Sequence, residues 1–240
     1  MALVIGERQE DFHPFMLRIY AVNISEGLDK FKFDRLFNQL SSVKQTQIRR
    51  MLKYEDRVRS SVGEALVKHA IGKTTGMPHH EIRFVTNEYG KPQLADSNVV
   101  HFNIAHSGEW IVCATDLNPV GVDIEKIHSV DLQMARHFFS EAEFKQLTAL
   151  PEAQHLTYFF DIWTLKESYI KADGRGLSLS LNSFSIIKKD VDIHLVAEEE
   201  TRKFRFKQYD IDPAYKLSLC AVADEFPDQV IQIDVDMLDT

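Results

Sequence analysis

Apolar residues recur along this chain with two spacings, one near two residues and one near 3.6. The shorter spacing predicts strands at residues 17–24, 81–86, 99–104, 110–115, 120–125, 183–188, 204–209 and 216–222. The longer spacing predicts helical stretches near residues 41–73 and 130–172. No Pro-, Gly- or Ser-rich linker interrupts the sequence, so we expect no flexible hinge.

The order of these elements repeats, because a strand, a helical stretch and a run of strands occur twice. Strands in runs with the helices set apart favour an α+β fold. We predict two similar halves, residues 17–118 and 119–240, related by a pseudo-two-fold axis. Each half would be a mostly antiparallel sheet packed on helices, and the functional site would lie in the cleft between the halves. Residues 1–16 form an N-terminal extension to which we assign no role.

Two short polar runs carry the candidate chemistry. Asp123 and Glu125 are two apart on a predicted strand, so their carboxylates point to one face. Glu167 and Lys171 are four apart on a predicted helix and also share a face. Acidic oxygens without a Cys or His cluster select Mg²⁺ or Mn²⁺, and Mg²⁺ commonly takes substrate phosphates as further ligands. Each run alone also fits a solvated sheet face or a surface ion pair.

Composition and charge narrow the class of protein. The chain has 240 residues, 44% of them hydrophobic, and a net charge of -8, which argues against general nucleic-acid binding. No stretch approaches a membrane span, and the first residues lack the order of a signal peptide, so we expect a cytoplasmic protein. Residues 44–73 hold eight basic and three acidic side chains, a net charge of +5 that suits a polyanionic ligand or an acidic partner.

Four ordered motifs resemble one enzyme family. They are Phe-Asn-x-x-His-Ser at 102–107, Gly-Val-Asp-x-Glu at 121–125, Phe-Ser-x-x-Glu at 139–143 and Trp-x-x-Lys-Glu-x-x-x-Lys at 163–171. Together they resemble the long, surfactin-synthetase-activating type of 4'-phosphopantetheinyl transferase over residues 17–240. The resemblance implies transfer of the phosphopantetheine arm of coenzyme A to a serine of an apo acyl or peptidyl carrier protein, with release of adenosine 3',5'-bisphosphate. Peptide or polyketide biosynthesis is the implied setting.

The resemblance also implies a role for each matching residue. Asp123, Glu125 and Glu167 would hold Mg²⁺ against the coenzyme A pyrophosphate, and Asp123 would thereby contact the substrate. Glu167 would in addition accept the serine proton, and Lys171 would contact the pantetheine phosphate. The remaining coenzyme A phosphate contacts would be His106 at the 3'-phosphate, with Lys44, Arg59 and Lys91. Lys166 would add positive charge to the site, whereas Trp163 would pack and orient its helix.

Two positions depart from the family pattern. Ala105 stands where serine is common, and Gln47 stands where a second basic residue is common. A hydrogen bond to a charged group contributes about 1.5–3 kcal/mol, so coenzyme A binding would weaken without loss of the chemistry. We therefore expect Ala105→Ser to lower the Michaelis constant for coenzyme A.

Other interpretations remain open at this level. The carboxylates would also serve an Mg²⁺-dependent nucleotide pyrophosphate hydrolase, and Ala105 would also fit an inactive module that binds carrier proteins. Residues 127–143 follow the Asp-x-Glu strand and would either meet the carrier or join the core, and we favour the core for Phe138 and Phe139. Because two halves in one chain can form the cleft alone, we expect a monomer.

Overall fold

The strands and helices of the computed structural model fall close to the predicted stretches. It describes residues 17–95, 99–189, 192–197 and 202–238. The strands are β1 (Arg18–Asn23), β2 (Phe84–Thr86), β3 (Pro92–Leu94), β4 (His101–Ser107), β5 (Trp110–Asp116), β6 (Val120–Lys126), β7 (Ser185–Lys189), β8 (Asp192–Val196), β9 (Arg205–Tyr209), β10 (Tyr215–Ala221) and β11 (Ile231–Gln232). The helices are α1 (Lys30–Asn38), α2 (Ser42–Arg49), α3 (Tyr54–Thr75), α4 (Ala135–Phe138), α5 (Glu141–Ala149) and α6 (Glu152–Asp173).

Each of the two predicted helical stretches contains more than one helix in the structure. The Ser41 hydroxyl accepts from the N–H of Lys44 and begins α2, which ends before α3. In the second stretch, Ser140 and Glu143 form a capping box at the start of α5, and Pro151 precedes α6. The helical character predicted near residues 41–73 and 130–172 is therefore confirmed, with several helices in place of a single run.

Two mainly antiparallel sheets form the centre of the molecule. The first sheet has the order β11-β1-β5-β4, and the second has the order β6-β10-β9. Strand β5 pairs antiparallel with β1 and β4, and β10 pairs antiparallel with β6 and β9; β11 alone joins β1 in parallel. In both halves a 22-residue helix and a two-stranded hairpin separate the first strand from its partners. The α+β class with antiparallel sheets packed on helices is thus confirmed, while the pseudo-two-fold axis stays a prediction.

Apolar clusters hold the elements in layers. One cluster packs α3 against the first sheet and includes Val62, Leu66 and Ile111. The second lies between the two sheets, where Val112 meets residues of β6 and β10. The third packs α6 against the second sheet. The order of layers, α3, first sheet, second sheet and α6, places β4 and β6 side by side at the junction of the halves.

Glycine sets how closely α6 approaches β6. A Cβ atom on Gly121 would lie 2.0 Å from the carbonyl oxygen of Ser168 and 2.4 Å from the nitrogen of Ala172. Both atoms belong to the backbone of α6, so no side-chain rotation can relieve the contact. The helix that carries Glu167 and Lys171 therefore packs directly on the strand that carries Asp123 and Glu125.

The described helices and the two cysteines bear on membrane insertion and on thiol chemistry. None of the helices in the described ranges is long and apolar enough to cross a membrane. Cys113 and Cys220 are buried thiols that form no disulfide. Burial raises the pKa of the Cys113 thiol, as expected for a packing role.

Candidate functional site

Asp123 and Lys171 form the centre of the candidate site. Asp123 lies in the middle of β6 and is almost fully buried, while Lys171 lies in the last turn of α6. The Lys171 ammonium is 2.5 Å from Oδ1 of Asp123 and donates to the carbonyl of Val122 at 3.3 Å. The contact joins residues 48 apart in sequence, so it exists only because α6 packs on β6.

The three acidic side chains act on one another electrostatically. Burial raises the pKa of Asp123 to about 7 although Lys171 lowers it, and Glu125 and Glu167 raise it further. Burial also raises the pKa of Glu167; Lys171 lowers this pKa, and Glu125 raises it further. Neighbouring carboxylates make it harder for one another to ionise, and a cation placed among them stabilises their ionised forms. The structure therefore brings the predicted acidic residues and Lys171 into one group.

This group can be tested for its fit to a divalent metal ion. Oδ2 of Asp123 is buried and has no hydrogen-bond partner among the described residues. An orphaned carboxylate oxygen beside two further acidic residues is the hard, anionic donor set that Mg²⁺ or Mn²⁺ prefers. Within the described ranges no three His, Cys, Asp or Glu side chains already stand close enough together to hold a metal ion. The residue types nevertheless fit the ion.

Glu125 has a partner that the sequence interpretation missed. The Ser107 hydroxyl donates to Oε2 of Glu125 at 2.8 Å and accepts from the N–H of Lys126 at 3.1 Å. The sequence predicted a strand that ends at residue 104 and left His106 and Ser107 in the connection after it, which was wrong, because β4 continues to Ser107 and this residue pairs with Trp110. The polar pair His106 and Ser107 ends the apolar pattern of this strand, so the sequence carried no signal for its last residues.

His106 lies in the same region of charge as Arg59 and Lys171. Desolvation lowers the pKa of His106, and Arg59 and Lys171 lower it further. Arg59 itself donates to the carbonyl of Gly108 at 3.2 Å and to Asp56 at 2.5 Å. Three predicted phosphate contacts thus converge from α3, β4 and α6. Lys44 lies in the first turn of α2, which packs on α3.

Lys91 lies at the junction of the halves rather than at an open surface. Its ammonium donates to the carbonyls of Lys171 and, at 3.3 Å, Val120. Nearby, the Asn87 amide donates to the carbonyl of Gly174 at 3.0 Å, at the C-terminal end of α6. Burial lowers the pKa of Lys91 to about 8. These contacts hold the 87–91 loop against α6, and the expected phosphate contact of Lys91 stays a prediction.

Lys166 does not face the site, which corrects the expectation that it adds charge there. Its side chain is fully buried, with Nζ 2.7 Å from both carboxylate oxygens of Glu143 and 2.8 Å from the carbonyl of Phe184. Successive residues on a helix are about 100° apart, so a residue next to Glu167 points away from it. The spacing itself contained this signal.

The aromatic residues near the site are packing residues, as expected. Trp163 stacks on Phe159 with ring centroids 5.8 Å apart and meets Phe138 edge-on at 5.2 Å. Phe139 is buried and stacks on Phe159 at 5.2 Å. The preference for core packing of Phe138 and Phe139 is therefore confirmed, whereas Met134 on the same segment is 46% exposed.

Ala105, which stands where serine is common in the family, has a buried position. Ala105 alternates with His106 along β4, so their side chains lie on opposite faces of the strand. Ala105 is buried in the cluster between the sheets, whereas His106 reaches solvent beside Arg59. A serine hydroxyl at residue 105 would face β6 and not the face that carries His106. This placement gives no support to the expected gain in coenzyme A affinity.

Comparison with known proteins shows similarity to one enzyme family. Residues 119–220 match the 4'-phosphopantetheinyl transferase superfamily, and residues 29–118 match the N-terminal region of 4'-phosphopantetheinyl transferases. The chain is 35% identical to the 4'-phosphopantetheinyl transferase Sfp of Bacillus subtilis (strain 168), over 92% of this chain and 100% of that protein. It is 35% identical to the 4'-phosphopantetheinyl transferase gsp of Aneurinibacillus migulanus, over 86% of each chain. A solved holo-(acyl-carrier-protein) synthase from Bacillus anthracis is 14% identical, with a TM-score of 0.39 over 43% of this chain and 94% of that one.

Proposed function

The chain belongs to the Sfp-type 4'-phosphopantetheinyl transferases, and on this basis we propose its substrates, its metal ion and the role of each site residue. The phosphopantetheine arm of coenzyme A moves to a serine hydroxyl of an apo carrier protein in an Mg²⁺-dependent reaction that releases adenosine 3',5'-bisphosphate. The observation that carries the proposal is the group of Asp123, Glu125, Glu167 and Lys171 between β6 and α6.

Asp123, Glu125 and Glu167 would hold the metal ion. One support is Oδ2 of Asp123, which is buried without a hydrogen-bond partner among the described residues. The other is that burial raises the pKa values of Asp123 and Glu167, because a bound cation would stabilise their ionised forms. When bound, Mg²⁺ would withdraw charge from the coenzyme A pyrophosphate.

The remaining steps belong to the side chains. Glu167 accepts the proton of the carrier serine, and burial, which raises the pKa of its carboxyl, makes it a stronger base for this role. The serine oxygen then bonds to the phosphorus of the pantetheine phosphate, and the bond from that phosphorus to the bridging oxygen breaks. Lys171 reaches the same phosphate by exchanging its contact with Asp123 for one with the substrate. His106 and Arg59, with Lys44 and Lys91, bind the other phosphates of coenzyme A.

The two halves of the chain supply different groups to the site. Residues 17–118 supply the coenzyme A contacts of α2, α3 and β4, and residues 119–240 supply the metal and proton-transfer residues of β6 and α6. We propose that the enzyme acts as a monomer in the cytoplasm on carrier domains of peptide or polyketide synthesis. Light scattering that showed a stable trimer would contradict the monomer.

The transfer is tested by intact-mass measurement of an apo carrier protein incubated with coenzyme A, Mg²⁺ and enzyme. Metal-assisted transfer of the arm adds about 340 Da to the carrier. Asp123→Ala and Glu167→Gln are expected to abolish this shift, whereas Glu141→Gln on the exposed first turn of α5 leaves it intact. Hydrolysis of coenzyme A without a carrier shift would instead support the pyrophosphate hydrolase, and carrier binding without a shift would support the inactive module.

A further inference from the structure

Side chains of β4 hold β6 in place although the two strands belong to different sheets. The side-chain oxygen of Asn103 accepts from the N–H of Val122 at 2.8 Å, and that of Ser107 accepts from the N–H of Lys126 at 3.1 Å. Both pairs are 19 residues apart in sequence, so the strands run parallel with one fixed offset. The polar residues of the Phe-Asn-x-x-His-Ser motif that have no proposed contact with coenzyme A are therefore the ones that join the halves.

Ser107 differs from Asn103 because it also contacts a proposed metal ligand. Its hydroxyl oxygen accepts from Lys126, which directs the hydroxyl proton toward Oε2 of Glu125 at 2.8 Å. One carboxylate oxygen of Glu125 is thus fixed by a donor from the other half. This bond restrains where Oε2 lies and thereby narrows the orientations open to the whole carboxylate.

The backbone after Ser107 is anchored from three elements. Arg59 of α3 donates to the carbonyl of Gly108, and Lys126 of β6 contacts Glu109 at 3.0 Å. The hydroxyl of Tyr215 on β10 donates to the Glu109 carboxylate and accepts from its N–H at 3.1 Å. Gly108 has a φ of 53°, and a Cβ atom there would lie 2.3 Å from the Tyr215 hydroxyl. Ser107 is therefore held in a defined position relative to β6.

We propose that Ser107 is a positioning residue that fixes the Glu125 carboxylate for metal binding. It thereby connects the strand that carries His106 to the strand that carries Asp123 and Glu125. The inference rests on the proposed function, because Glu125 is a metal ligand only in that scheme. Hydrogen-bond partners of metal ligands typically change metal affinity by about 10- to 100-fold, and we expect this range for Ser107.

The test measures Mn²⁺ binding directly, without coenzyme A or carrier, from the electron paramagnetic resonance signal of free Mn²⁺. Ser107→Ala is expected to weaken binding by about 10- to 100-fold, and Ser107→Thr to restore it, because threonine keeps the hydroxyl. Asn103→Ala is the matched control: it removes the other link between β4 and β6 but touches no proposed ligand. Thermal unfolding of each variant separates loss of fold from loss of metal affinity.

The outcomes separate this inference from the proposed function. In a Glu125→Gln background, Ser107→Ala should have no further effect on Mn²⁺ affinity, because the residue acts through the carboxylate. Equal Mn²⁺ affinity of wild type and Ser107→Ala, or equal weakening by Ser107→Ala and Asn103→Ala, would overturn the positioning role alone. Wild-type protein that binds no Mn²⁺ while still modifying a carrier would overturn the positioning role and the metal site but not the transfer.

Discussion

Gly121→Ala should separate the two elements that carry the site. The added Cβ would lie 2.0 Å from the Ser168 carbonyl oxygen, whereas ordinary contact begins at 3.4 Å. The backbone of α6 must therefore move away from β6 by up to about 1.4 Å, the difference between these distances. Such a displacement also draws Lys171 away from Asp123, so stability and chemistry should fall together.

The magnitude follows from the rigidity of the contact. Overpacking a core commonly costs about 1–3 kcal/mol, and we expect the upper end because both clashing atoms are backbone. At about 2–4 °C per kcal/mol for a chain of this size, 3 kcal/mol corresponds to a fall of about 6–12 °C in the midpoint of thermal unfolding.

The assay is urea and thermal unfolding followed by circular dichroism, together with the rate of carrier modification. Gly63→Ala in α3 is the matched control, since its Cβ would meet only the tip of Ile104 at 2.9 Å, which can rotate. Alanine is also favoured over glycine inside a helix by about 1 kcal/mol, so the control should be near neutral. If Gly121→Ala were as stable and active as Gly63→Ala, the direct packing of α6 on β6 would be refuted.

Three further predictions concern other parts of the fold. Lys166→Met should lower the free energy of unfolding by about 3–5 kcal/mol, because it leaves the buried Glu143 carboxylate without its cation. Lys188→Met, which removes a partly exposed ion pair with Asp161, should cost much less, and equal losses in urea titrations would contradict this. Burial, with a smaller contribution from Lys73, lowers the pKa of His69 from 6.5 to about 4, so between these pH values the unfolded chain binds a proton that the folded chain does not. The contribution of His69 to the free energy of unfolding should therefore fall by up to about 3 kcal/mol as the pH drops through this interval, and His69→Phe should remove this contribution from the measured slope. Ala105→Ser should leave the Michaelis constant for coenzyme A unchanged, because the hydroxyl would face β6; a clear decrease would show instead that residue 105 reaches the 3'-phosphate.

The sequence located the elements wherever side-chain periodicity is regular. Strands β5, β6 and β10 were predicted within one or two residues, because buried positions dominate their whole length. Helix α1 was missed although Phe33, Leu36 and Phe37 have helical spacing behind the Asp29 cap. Strands such as β3 and β11, with three and two residues, were also missed, because strands this short owe their conformation to neighbouring residues rather than to a pattern of their own.

The residues of the candidate site were proposed from the sequence, whereas the contacts between them came from the structure. The spacing of Asp123 with Glu125 and of Glu167 with Lys171 placed each pair on one face. The ion pair of Lys171 with Asp123 and the bond of Ser107 to Glu125 join different elements, so no local pattern contains them. Lys166 shows the opposite case, because helix geometry alone would have separated it from its neighbour Glu167.

The metal site is the central claim, and anomalous diffraction from crystals grown with Mn²⁺ and coenzyme A tests it most directly. We predict one strong manganese peak about 2 Å from carboxylate oxygens of Asp123, Glu125 and Glu167, with the coenzyme A pyrophosphate on its open side. Lys171 should then have left Asp123 for the pantetheine phosphate. A manganese ion bound without Asp123, or coenzyme A seated with its pyrophosphate away from β6 and α6, would contradict the account.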